Sequence, residues 1–185
     1  MTDYSVLIAL LAERSAKRGQ FTLASGKQSK YYVDTRLTTM SPEGLSVIGP
    51  LALSILRESG WVIDAVGGLT LGADPISYAI SYASASSDRP LRAFTVRKEA
   101  KSHGTAKTIE GPFKEGDRVA VIEDVITTGG SAIRAIEAVR TANGTVAGVL
   151  ALVDRQEGGR QAIEAVGVPV ISLVSASQII KALER

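Results

Sequence analysis

The 185-residue chain contains no cysteine, which rules out disulfides, thiolate metal ligands and a thiol nucleophile. It has no apolar run near the roughly 18 residues needed to cross a bilayer. Met1 to Lys17 carries acidic Asp3 and Glu13 around a short apolar stretch and lacks the basic start of a signal peptide, so a cytoplasmic protein away from membranes is expected. No Pro-, Ser- or Gly-rich stretch is long enough for a linker, and no repeat is visible. The formal charge is only +2, which argues against a general nucleic-acid binder. What remains is 45% hydrophobic and 22% charged, the balance of one globular domain over residues 1–185. Its positive charge is locally dense: Arg97, Lys98, Lys101 and Lys107 share one segment with the single histidine, His103.

Val6, Leu7, Leu10 and Leu11 predict an amphipathic helix from Tyr4 to Lys17, stopped by Gly19. Phe21 to Asp34 reads as a short hairpin, and Ser41-Pro42 opens a second helix to about Ser59. Apolar runs at Val62–Gly68, Leu91–Arg97, Arg118–Asp124, Val146–Asp154 and Val168–Val174 then alternate with helical stretches near Ala73–Ala85, Ser131–Thr141 and Arg160–Val166. Ser175–Leu183 closes the chain. Continuous apolar strands are buried on both faces, so the expected fold is α/β, a central parallel sheet flanked by helices. Its active site belongs beyond the carboxyl ends of the strands.

The segment RVAVIEDVITTGGS, Arg118 to Ser131, carries the sharpest chemistry. A strand delivers Glu123 and Asp124 together, followed by Val125 and Ile126. The turn Thr127, Thr128, Gly129, Gly130, Ser131 then offers small hydroxyls and open N–H groups at a helix start, which suit a phosphate. Carboxylates do not bind phosphate; they accept hydrogen bonds from sugar hydroxyls or lie near a metal-bound diol. A ribose 5-phosphate satisfies both halves. The alternative is an acidic strand end before an ordinary capped helix.

VIEDVITTGGS resembles the phosphoribosyl pyrophosphate (PRPP) signature of type I phosphoribosyltransferases. RKEAKSHG, Arg97 to Gly104, read from charge alone, is a solvated basic loop or a flap able to close over a leaving group. It is similar to the catalytic loop of the orotate phosphoribosyltransferases. FTLASGKQSKYYVDTR, Phe21 to Arg36, resembles that family's N-terminal hood, although Tyr31 and Tyr32 as plain sheet aromatics remain an alternative.

The resemblance implies a type I phosphoribosyltransferase fold with a small hood over about residues 1–40 and part of the C-terminus. It implies transfer of the phosphoribosyl group from PRPP to orotate in UMP synthesis, with Mg2+ held mainly through PRPP, near Asp124, and without a dedicated protein site. Lys101, His103 and Asp124 become the catalytic candidates, and Arg97, Lys98 and Glu123 to Ser131 join them in binding PRPP. Thr127, Arg155, Tyr32 and Val33 are the orotate candidates, the planar guanidinium of Arg155 matching the carboxylate of orotate. In this family the loop crosses into the partner's site, which implies a homodimer here. Gly67 to Pro75, GGLTLGADP, lacks the Lys and Ser/Thr of a P-loop and instead resembles the family's pyrophosphate turn. Two departures stand out: Gly72 and Ala24 occupy positions where some members carry lysine, with Lys27 a candidate substitute for the second. Two other readings are a purine phosphoribosyltransferase, against which Arg155 and RKEAKSHG speak, and a PRPP-sensing regulator, for which a DNA-binding domain or basic face is missing. The length leaves no room for a fused decarboxylase.

Overall fold

The computed structural model describes residues 4–22, 28–99 and 108–184. Ala24 to Lys27, and with them the tip of the hairpin, lie outside the described residues, as do Lys101, His103 and Lys107.

The N-terminal helix α1 spans Ser5–Leu10 and passes into one wide π turn, Leu11–Ser15. Strand β1 (Ala16–Thr22) begins sooner than the sequence predicts and pairs antiparallel with β2 (Gln28–Val33). Gly19 therefore does not stop a helix. It lies in β1 between Arg18 and Phe21, where the register shifts, a place at which glycine accommodates a bulge. Two helices follow the hairpin closely: α2, Arg36–Thr39, which the sequence does not announce, and α3, Pro42–Glu58. Ser41 caps α3 by accepting the Gly44 N–H at 3.0 Å, with Pro42 in the first turn where its missing N–H costs nothing.

The rest alternates: β3 (Ala65–Leu69), α4 (Ala73–Ser84), β4 (Arg92–Val96), β5 (Ile109–Glu110), β6 (Arg118–Ile126), α5 (Gly130–Thr141), β7 (Thr145–Asp154), α6 (Gly159–Ala165), β8 (Val170–Ser175) and α7 (Ala176–Leu183). The main sheet runs β5-β4-β3-β6-β7-β8, parallel throughout except for β5, which is antiparallel to β4. The expected central parallel sheet is present, with one short antiparallel strand added at its edge. A two-residue strand carries no hydrophobic pattern, and β5 exists because the chain returns past β4.

Strand β6 shows why the sheet is buried on both sides. Ala120 and Ile122 face a core shared with Leu7, Ile48, Ile76 and Ile179, from α1, α3, α4 and α7. Val119 and Val121 face the opposite core, with Ala135, Ile136 and Ile163 from α5 and α6. All five residues of β3 are buried, and the chain leaves β3 toward β4 on one side while β6 lies on the other. The crevice between the carboxyl ends of β3 and β6 is therefore the topological switch point, the usual ligand position in open α/β sheets. The β1–β2 hairpin is tied to the end of α7 by the Tyr31 hydroxyl, which donates to Glu184 at 2.5 Å.

Candidate active site

A cavity of about 290 Å³ opens at this switch point. Strand β6 brings Glu123, Asp124 and Val125 to it, the first turn of α5 adds Ser131, the segment after β4 adds Lys98, and β2 adds Tyr32 and Val33. Seven of the candidate substrate-binding residues named from the sequence therefore converge on one space.

The two adjacent acids differ in their surroundings. Glu123 is buried, and loss of hydration together with the neighbouring charge of Asp124 raises its pKa to about 9. At neutral pH it is a carboxylic acid, able to donate as well as accept a hydrogen bond. The Asp124 carboxylate is held by the Thr35 hydroxyl at 3.1 Å and by the Val125 N–H at 2.9 Å. A Cβ at residue 72 would meet this carboxylate, so the turn approaches Asp124 closely because Gly72 has no side chain.

The loop between β6 and α5 is fixed by packing. Ile126 is 1% exposed, and its carbonyl accepts the Arg155 N–H at 3.0 Å, so this residue offers the cavity no side chain. Gly129 has a φ of +83°, and a Cβ there would come within 2.7 Å of the Gly159 carbonyl oxygen. Both facts restrict the position to glycine. Of Thr127 to Ser131, only Ser131, in the first turn of α5, borders the cavity; Thr127 to Gly129 form the loop that leads into that helix start, where the helix dipole favours an anion.

Arg155 does not line this space. Its guanidinium pairs with Glu157 at 2.8 Å, and only its backbone is tied to the loop, through Ile126. Arg97 likewise pairs with Glu110 at 3.2 Å beside the cavity, while its N–H donates to the Thr108 carbonyl at 2.8 Å. With the β4–β5 ladder, these bonds bring residues 95–97 and 108–110 together as a closed stem. The Lys98 carbonyl accepts from Arg134 of α5 at 2.5 Å, linking that stem to the loop helix.

The sequence reading missed Asp34, Thr35 and Arg36 as lining residues, together with the Thr35 contact to Asp124. Leu69 to Gly72 line the cavity too, and Thr70 is braced by Asp74, which accepts from the Thr70 hydroxyl at 2.7 Å and the Thr95 hydroxyl at 2.8 Å. Polar residues directly after an aromatic pair were the available signal in Asp34–Arg36. Among the described residues, no three His, Cys, Asp or Glu side chains converge on a metal site, and no helix is long and apolar enough to cross a membrane.

No family model matches the chain. Individual proteins do. The orotate phosphoribosyltransferase of Aquifex aeolicus is 46% identical over 97% of this chain and 99% of its own. A crystal structure of the Mycobacterium tuberculosis orotate phosphoribosyltransferase superposes with a TM-score of 0.80 at 41% identity, covering 94% of this chain and 97% of that one. A structure of the same enzyme in complex with PRPP aligns with a TM-score of 0.75 at 36% identity, over 94% and 90% of the two chains.

Proposed function

The chain belongs to the orotate phosphoribosyltransferase family, and we propose that the cavity between the hood and the carboxyl ends of β3 and β6 is where its reaction occurs. The enzyme transfers the 5-phosphoribosyl group of PRPP to orotate, giving orotidine 5'-phosphate and pyrophosphate in pyrimidine synthesis. One observation carries the placement: two adjacent acids, a phosphate-type loop and an aromatic hood meet at the switch point of the sheet.

N1 of orotate forms a bond to the anomeric carbon and gives up its proton to the departing pyrophosphate or to water, while the bond from that carbon to the pyrophosphate oxygen breaks, its electron pair leaving with pyrophosphate. Little covalent help is needed; the protein aligns the nucleophile and stabilises the leaving charge. Asp124 accepts from one ribose hydroxyl, and protonated Glu123 serves as donor or acceptor to the diol. Val125 to Ser131 hold the 5-phosphate through N–H and hydroxyl groups. Tyr32, tilted on Phe21 with ring centroids 5.5 Å apart, covers the base with Val33. Thr127 and Arg155 hold orotate, Arg155 turning from Glu157 to the substrate carboxylate. Arg97, Lys98, Lys101 and His103 bind pyrophosphate, which Leu69 to Gly72 cradle through the backbone.

Magnesium fits this donor set as a substrate-borne ion, since it keeps phosphate and water ligands and needs few carboxylates, and Asp124 in the cavity lining would be one. When bound it neutralises phosphate charge. Residues 1–185 act as one domain, with the hairpin, the segment to about residue 40 and α7 as its hood, in a cytoplasmic setting.

The working unit is a homodimer whose Arg97–Gly104 loops cross to the partner's site. An apolar groove of about 860 Å³ between α3 and α4 supports this, because it exposes Met40, Leu71, Tyr78 and Tyr82. Leu71 borders both this groove and the catalytic cavity, so a second copy seated there lies next to the site.

The deciding experiment follows loss of orotate absorbance with PRPP and Mg2+, using adenine and uracil as controls. Orotate-specific turnover is expected, reduced about a hundredfold in Lys101→Ala, the loss of roughly 3 kcal/mol of transition-state stabilisation. Undiminished turnover in that variant removes Lys101 from the mechanism.

A further inference from the structure

PRPP brings several negative charges into a cavity whose lining already includes Asp34, Glu123 and Asp124. Among the described lining residues only Lys98 and Arg36 are cationic. Lys98 stands at the root of the loop after β4, whereas Arg36 comes from the hood side at the start of α2. The turn at residues 69–72 contributes no charge of its own.

Arg36 is held rather than loose. Asp34 Oδ1 accepts from its Nε at 2.8 Å and Oδ2 from its Nη2 at 2.9 Å. The same Oδ1 also accepts the Arg36 backbone N–H at 3.1 Å, so one carboxylate sets both the main chain and the side chain of residue 36. The pair uses one edge of the planar guanidinium. Nη1 has no hydrogen-bond partner among the described residues, which leaves donors for a second oxyanion.

Position selects the oxyanion. Arg36 borders the catalytic cavity together with Leu71 and Gly72, and on its outer side it shares a recess with Leu71, Leu37 and Met40. It thus stands beside the backbone turn assigned above to pyrophosphate. Arg155, assigned to the orotate carboxylate, follows β7 and does not border this cavity.

We propose that Arg36, oriented by Asp34, binds the pyrophosphate group of PRPP against the Leu69–Gly72 turn. Arg36 is a substrate-binding residue and Asp34 a positioning residue that acts through it. The inference rests on the placement of PRPP in this cavity.

Calorimetry with Mg2+ and pyrophosphate, paired with steady-state kinetics, tests it on Arg36→Leu, Arg36→Lys and Asp34→Asn, each checked for wild-type circular dichroism and Tm. Arg36→Leu weakens pyrophosphate binding and raises KM for PRPP by about tenfold or more, and leaves KM for orotate within about twofold. Arg36→Lys restores part of the loss, since a point charge replaces a fork. Asp34→Asn moves KM for PRPP in the same direction by a smaller factor, and that effect disappears in the Arg36→Leu background. Unchanged pyrophosphate affinity in folded Arg36→Leu, with wild type binding normally, overturns the proposal. A rise confined to KM for orotate overturns it too, by giving the guanidinium to the base. Absence of pyrophosphate binding by wild type strikes the placement of PRPP instead.

Discussion

Glu123 and Asp124 are neighbours in sequence but occupy different media, and the difference is measurable. In the folded chain, burial keeps the proton on Glu123 up to about pH 9, whereas in the unfolded chain it leaves near the ordinary 4.5. Between those values the folded state binds more protons, so the stability contributed by neutral Glu123 is full below about pH 4.5 and is lost as pH rises toward 9. Glu123→Gln keeps the shape and cannot ionise. In denaturant titrations without PRPP or Mg2+, the variant gains stability relative to wild type by more than about 1 kcal/mol between about pH 5 and pH 9, since each tenfold change in proton affinity is worth about 1.4 kcal/mol. Parallel pH curves for the two proteins would show that Glu123 titrates normally. At this scale the sequence was legible where chemistry lies in consecutive residues, as in Glu123–Asp124 and the loop behind them. Thr35 and Arg36 were not legible, because the contact between Thr35 and Asp124 joins positions 89 residues apart.

The elements that place these residues are the long, periodic ones, and they match the sequence reading closely: β3, β4, β6, β7 and β8 with the helices between them. What the pattern could not announce were α2, with four residues, and β5, with two, which are too short to show a period and depend on tertiary neighbours. The β1–β2 hairpin began earlier than expected because Gly19 is ambiguous in a linear reading, stopping helices and accommodating bulges alike. The β6–α5 connection carries the most exacting local requirement. Gly129 combines a positive φ with close contact to Gly159, whereas Gly158 has a φ of +94° and nothing within 4 Å of a built Cβ. Gly158→Ala thus reports backbone strain alone, about 1 kcal/mol, and Gly129→Ala reports strain plus a backbone clash, about 2 kcal/mol or more. Urea denaturation of both variants measures the difference. Because the Gly129 loop is assigned to the 5-phosphate, KM for PRPP rises only in Gly129→Ala; equal losses in the two variants would mean that the contact with Gly159 is not what sets the loop.

At the scale of the whole molecule, the described chain supplies the two acids, the β6–α5 loop and the β1–β2 hairpin, and the groove between α3 and α4 adjoins the same cavity through Leu71. The sequence could not show this groove as a surface, since Met40, Leu71, Tyr78 and Tyr82 are spread over three segments and each exposed apolar side chain is unremarkable singly. Gathered on one face, they support the homodimer proposed above, since a twofold dimer would bury the same patch on both subunits. If the Arg97–Gly104 loop serves the partner's cavity, two separately inactivated chains complement each other. Lys101→Ala leaves the cavity intact and disables the loop; Asp124→Asn leaves the loop intact and disables the cavity. Random pairing after co-expression makes about half of the dimers mixed, each with one complete site, so activity per subunit returns to about a quarter of wild type. Sedimentation fixes the dimeric state, and differently tagged chains isolate the mixed species for assay. Mixed dimers no more active than either parent would assign each loop to its own subunit's site. A further Tyr82→Glu change in both chains, which places a charge on the groove, lowers the recovered activity by dissociating the dimer, and does so in proportion to the monomer seen by sedimentation.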